Sequence, residues 1–291
     1  MRIIYHLGVH CTDEERLVKC LLNNRAALAR EGIVVPGPAR YRTLLRDTSA
    51  SLKGRTASTD TEQLILDEIL DDAEDCRRII LSWDNFLAFP QWALRGAFYM
   101  TAGARMQSFC RIFPNCEAEF HMAIRNPATF LPALMKKQPD RPYLDVMDGV
   151  DPRDLFWSET IQDLATENPG VPIHVWCDED TPLIWPEILQ AVSGHSDDLA
   201  LEGADALLAS LLSTHAMGRY RDFVARRKPR DAAHRRKIAA TFLSKLALPQ
   251  RMEMTVDLPG WTTELAETLT LQYDEDMARI AAIPGVTLTL P

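Results

Sequence analysis

The sequence predicts an α/β protein with three layers, a mostly parallel sheet and a helical lobe. Three observations carry this reading. Short apolar runs rich in Ile, Val, Phe and Trp alternate with longer segments of helical period, as strand-helix-strand units require. Apolar residues make up 46% of the 291 residues, enough for a sizeable core, and 13 Gly and 18 Pro suit a globular chain. No composition shift marks a linker, so 1–291 reads as one domain with a helical lobe at about 182–248.

The elements follow in order. A strand is expected at Arg2–Leu7. A helix from Asp13 to about Arg30 comes next, because Leu17, Cys20, Leu21, Asn24, Ala27, Leu28 and Ala29 fall near one face and Gly32 supplies a stop. A short strand at Gly32–Val35 follows at once. The stretch 47–62, DTSASLKGRTASTDTE, is nearly devoid of large apolar residues and reads as a mobile surface loop before a helix at Gln63–Ala73. Further strands are expected at Arg78–Trp83, Glu117–Ile124, Pro172–Cys177 and Gly285–Leu290. From Pro182 to Leu248 the apolar spacing is helical, and Pro229, Pro249 and Pro259 punctuate that region.

Charge and cysteine usage narrow the function classes. The net charge of −9 argues against general binding to nucleic acid or an anionic membrane. No apolar run approaches the roughly 20 residues of a membrane span, and the opening MRIIYHLG enters polar CTDEER without a cleavage site. A cytoplasmic protein without membrane insertion is therefore expected. The six cysteines form no C-x-x-C pair and read as free thiols, and no metal-ligand spacing stands out. Nine Lys/Arg lie between Arg219 and Lys237 against Asp222 and Asp231, a local +7 that leaves −16 elsewhere.

The first turn carries most of the chemistry. Tyr5-His-Leu-Gly8-Val-His-Cys11-Thr-Asp13-Glu-Glu15 runs from strand through loop into helix, where consecutive amides and the positive helix end cradle phosphates in many folds. A phosphate loop counted from Gly8 needs glycine at position 13, lysine at 14 and a hydroxyl at 15. The chain has Asp13, Glu14 and Glu15 instead.

These residues resemble the opening of the bacterial sulfotransferases that use 3′-phosphoadenosine 5′-phosphosulfate, which begin Y-H-I-G-x-x-K-T-G-T-T/S. The matching pieces are Tyr5, His6, Gly8 and Thr12, then Asn24-Arg25 with Leu28, then Gly32-Ile33 with Pro36. The likeness continues in Ser82-Trp-Asp84, in Phe120-His-Met-Ala-Ile-Arg125, and in Leu269-Thr-Leu-Gln-Tyr273. The resemblance implies a P-loop type of sheet and a nucleotide site. In that site Gly8 and Thr12 would hold the 5′-phosphosulfate, Arg125 the 3′-phosphate, and the basic segment around Arg227 and Lys228 would assist. The family's serine partner for the arginine is here Ala133.

The departures are chemical. Cys11 stands where the family has its catalytic lysine, and a neutral thiol cannot stabilise charge on a departing bridging oxygen. Three carboxylates face a site made for an anion. At about 1 kcal/mol each when solvated, they remove roughly two decades of cofactor affinity. The same residues also suit a helix start, with Thr12 as N-cap, Glu15 as its capping-box partner, and Asp13 and Glu14 in the first turn. On that reading the helix supplies its own anion and no cofactor is expected. If the protein is active, the cofactor is 3′-phosphoadenosine 5′-phosphosulfate.

Other candidates each have a bland alternative. His6, His121 and His174 lie in strands, where satisfied core histidines are the default. His10 is the histidine best placed for acid-base work, against the default of an exposed loop side chain. Cys11 precedes a helix and could be nucleophilic, against an inert packed thiol. Asp84 ends a central strand and could act as a general base toward an acceptor hydroxyl, against a role capping the next helix. Trp83, Phe86, Phe89, Trp92, Phe98 and Tyr99 suit core packing or a pocket wall. The leading expectation is a sulfotransferase-like protein with an eroded cofactor loop that binds an unknown small molecule or protein partner. The alternatives are an active sulfotransferase for a hydroxyl or amine acceptor, and a module that grips a polyanion through Arg219–Lys237.

Overall fold

The computed structural model describes residues 1–70, 75–252, 256 and 258–291. Its strands are β1 (Arg2–His6), β2 (Ile33–Val34), β3 (Arg78–Ser82), β4 (Leu94–Arg95), β5 (Ala97–Phe98), β6 (Glu117–Ile124), β7 (Ile173–Cys177) and β8 (Val286–Thr289). Six of them form one parallel sheet in the order β2-β3-β1-β6-β7-β8, while β4 and β5 make a small antiparallel pair. Each strand of the large sheet lies within a residue of its expected ends. The chain winds outward to β2 and β3, then crosses to β6 on the other side of β1. The loop after β1 therefore sits where the winding reverses, at the carboxyl edge of the sheet.

Both faces of the sheet are covered, which is why its strands read as apolar runs. Ile3, Tyr5 and Leu7 of the first strand segment join a core with Phe86, Phe109, Phe120 and Trp157. Ile4 and Ile80 point the opposite way, into a second core with Leu17, Leu21, Trp176 and Trp185. The helices Thr181–Ser193, Ala206–Leu211, Thr214–Arg227 and Ala232–Leu246 form the expected helical lobe, and Leu208, Met217, Tyr220 and Ile238 give it a core of its own. No helix among the described residues is long and apolar enough to cross a membrane.

Three local expectations are corrected. The stretch 47–62 is mostly helical: Pro38–Leu52 is one helix and Thr59–Leu70 another, leaving 53–58 between them. Pro38 opens the first, and Tyr41 and Leu45 anchor it. Small polar residues cover its outer side, so low apolar content concealed a surface helix. The expected helix at Gln63–Ala73 begins earlier, at Thr59, and its last three positions fall outside the described residues. The first helix is broken into Arg16–Asn23 and Arg25–Ala29. Asn24 causes the break by donating to the carbonyls of Cys20 (2.8 Å) and Glu202 (2.9 Å) and accepting the Glu202 amide (2.9 Å).

Toward the amino ends of the strands, the face that carries Ile4 and Ile80 holds a buried polar cluster. Buried Arg78 donates to Glu119 Oε1 at 2.9 Å and to the carbonyls of Ala191 and Val192, the end of a helix where a cation is favoured. Arg2 holds the other oxygen of Glu119 at 3.0 Å.

Gly103 is packed against the neighbouring helix so closely that a Cβ there would lie 2.5 Å from the Asp163 carbonyl oxygen. Gly103→Ala is expected to destabilise the protein by about 1 to 2 kcal/mol through overpacking, read as a lower urea midpoint at unchanged slope.

Candidate functional site

A cavity of about 240 Å³ lies over the loop after β1, lined by His6, Gly8, Cys11, Asp13, Glu14, Glu15, Arg42, Ser82, Asp84 and Lys137, with Val9 completing its wall. Of the predicted cofactor-binding residues it gathers Gly8, and of the predicted catalytic ones Asp84. Gly8 has φ +87°, and a Cβ there would come within 3.3 Å of the Asp84 backbone, so the close approach of β1 and β3 ends requires glycine.

The three carboxylates of the loop are each disposed differently. Asp13 is buried, and its carboxylate accepts the Leu17 amide at 2.8 Å, so it supplies the anion at the start of helix Arg16–Asn23. Glu15 accepts from Arg42 at 2.8 Å. Glu14 is exposed on the rim. Thr12 is not the N-cap that the sequence suggested. Its hydroxyl donates to the Val9 carbonyl at 2.7 Å, and Glu15, in the left-handed region at φ 64°, precedes the helix without a side-chain cap. The capping-box expectation is thereby corrected: the later helix start moves the capping work to Asp13.

Arg125 lies at the carboxyl end of β6, as expected, but its guanidinium donates to the Cys11 carbonyl and to Thr129 Oγ1. It fastens the loop to the next strand. Arg227 and Lys228 are exposed at the end of helix Thr214–Arg227 and are not among the lining residues, with Arg227 lying over Phe223. Within the same basic stretch, Arg221 pairs with Asp205 and Arg236 with Glu187.

His10 is buried, not exposed. Its Nδ1 accepts from the Tyr99 hydroxyl at 2.7 Å, its Nε2–H donates to Asn85 at 2.9 Å, and the ring stacks on Tyr99. Burial holds its pKa below the usual histidine value. Both nitrogens are thus engaged by the protein, and the β4-β5 pair, which no sequence pattern announced, places Tyr99 there. Cys11 is also buried, and burial above all pushes its thiol up to about 11, with Lys137 and Arg125 opposing that shift, so it is a packed thiol at neutral pH. All six cysteines are free. Asp84 is followed by a turn, where the Phe86 amide reaches the Trp83 carbonyl, so it caps no helix and lines the cavity instead.

His6 and Ser82 form a buried pair at 2.8 Å through Nδ1, while His6 Nε2 has no protein partner. His6, His121 and His174 do lie in strands as expected, but His121 Nδ1 is likewise unpartnered, so two of the three are only half satisfied.

Sequence reasoning missed Lys137, Arg42 and Asp178. Lys137 ends helix Pro127–Lys136 and brings an ammonium to the cavity from a distant part of the chain. Arg42 reaches the Ser82 carbonyl as well as Glu15. Asp178 follows β7, where burial pushes its carboxyl up to about 7 against the charges of Arg125 and Arg16, with Glu179 and Asp13 adding to the rise. The acidic run Asp178-Glu-Asp180 at a strand end was the available signal. A scan against protein-family models matches none, and a search of curated proteins finds no match.

Proposed function

We propose that this chain is a sulfotransferase-like protein whose cofactor loop has been given over to structure, and that the cavity above it binds a small polar ligand in place of a phosphosulfate. The observation that carries this reading is the Asp13 carboxylate seated on the Leu17 amide. The start of the helix, which in a phosphate loop faces an anion, is neutralised from within the chain. Two further contacts support it, since Arg42 is drawn to Glu15 and Arg125 to the Cys11 carbonyl. The remaining lining favours a ligand bearing both donors and acceptors: Asp84 and Glu14 accept, Lys137 donates, and His6 offers an unpartnered nitrogen. The reading includes a cytoplasmic protein without nucleic-acid partners.

A second reading, an active sulfotransferase, is favoured by one observation: Lys137 supplies the cavity with a cation that the loop itself lacks. Calorimetry with adenosine 3′,5′-bisphosphate separates the two. The expected result is no binding tighter than about 10 μM, because roughly 7 kcal/mol of affinity needs a competent phosphate cradle. Tighter binding that Lys137→Ala abolishes would overturn the proposal in favour of the transferase.

A further inference from the structure

Glu119, His121 and His174 lie on one face of the sheet, where His121 is the strand neighbour of His6 at the floor of the loop cavity. Alternation along β6 puts Glu119 and His121 on the same side, and the parallel register sets His174 directly beside His121. One donor atom from each of the three lies within 4.8 Å of the others. His121 Nε2 stands 2.7 Å and His174 Nε2 3.7 Å from the same oxygen, Glu119 Oε1, and the two imidazoles stack with centroids 4.5 Å apart. We propose that these three side chains form a binding site for a divalent transition metal of the Zn²⁺ or Co²⁺ class.

The ligand set points to that class. Two imidazoles and one carboxylate suit borderline transition ions, whereas Ca²⁺ and Mg²⁺ prefer oxygen donors. Binding requires the His121 proton to pass from Nε2 to Nδ1. Nδ1 has no protein partner to lose, and the 2.7 Å hydrogen bond from Nε2 to Glu119 gives way to two bonds to the ion.

The surroundings are those of a supported site. Arg78 and Arg2 orient the Glu119 carboxylate from outside, as second-layer groups do around metal ligands. Arg2 shares its charge with Glu117 at 2.6 Å, so the two guanidiniums and two carboxylates are balanced before an ion enters. His174 keeps 28% of its side chain exposed and gives an ion a way in, while His121 is closed off entirely. Donors held near 2.1 Å from one ion stand roughly 3.0 to 3.4 Å apart, so His174 has to draw in and the 2.7 Å His121–Glu119 contact has to open by well under an ångström each.

Titration of the chelator-treated full chain with Co²⁺ tests the proposal. One equivalent is expected to bind with visible ligand-field bands, to be displaced by Zn²⁺, and to bind at least tenfold more weakly to His174→Gln. In the unaltered protein, Zn²⁺ is expected to shift the imidazole ¹⁵N signals of two of the seven histidines. That readout needs no variant and does not depend on how His174→Gln folds. Absence of bands and of ¹⁵N shifts, or undiminished affinity in a folded His174→Gln, would overturn the site.

Discussion

In metal-free protein, Glu119→Ala is expected to lower stability by about 3 to 5 kcal/mol, the cost of leaving a buried charge without its partner. Arg78 is the charge concerned. Its side chain is only 10% exposed, and Glu119 is its one carboxylate contact at 2.9 Å among the described residues. The carbonyls of Ala191 and Val192 would still accept from it but carry no compensating charge. Chemical denaturation by two independent probes measures the loss. The double substitution Glu119→Ala with Arg78→Met is expected to recover part of it, because a buried apolar chain has no charge to satisfy. If Glu119→Ala costs less than about 1 kcal/mol, the guanidinium is being solvated and the interior reading of this cluster fails.

The second large effect concerns Asp178 and pH. Its carboxyl is raised from the usual carboxylate value to about 7, so folding favours the protonated form. The stabilising contribution is complete below the unfolded value near 4 and is lost as pH rises through 7. Between pH 5 and pH 8 that amounts to about 2 to 3 kcal/mol. Asp178→Asn is isosteric and does not ionise, so its stability relative to the unaltered protein should rise by that amount over the same interval. Carboxylates remote from Asp178 cancel in the difference. A pH-independent difference between the two would show that Asp178 ionises normally.

The sheet was legible because its strands are buried on both sides, which leaves apolar runs such as Ile79-Ile-Leu that few other structures produce. The helical lobe was legible from its period. What escaped were features fixed by contacts between distant residues. Nothing near position 24 in the sequence says that Asn24 will meet Glu202, and without that contact the first helix reads as continuous. The surface helix Pro38–Leu52 was hidden because helices on a surface need few large apolar residues. The acidic loop stands out in the sequence, yet the assignment of its capping role to Thr12 failed, since which of two neighbouring oxygens meets an amide depends on backbone turns at Cys11, Glu14 and Glu15 that are all left-handed. Lys137 and Arg42 reach the cavity only through tertiary structure. The histidine-carboxylate trio was invisible for the same reason, since only strand register brings His174 to the pair that Glu119 and His121 make by alternation.

Asn24 has a wider consequence. The helix that starts at the acidic loop and the turn that leads into the lobe are joined through one amide side chain that makes two hydrogen bonds to Glu202. Cys20 adds a third link, its thiol donating to the Glu202 carbonyl at 3.2 Å. Loop and lobe are thereby geared together: whatever displaces one must strain or drag the other, and an occupant of the cavity would be felt at the far end of the molecule.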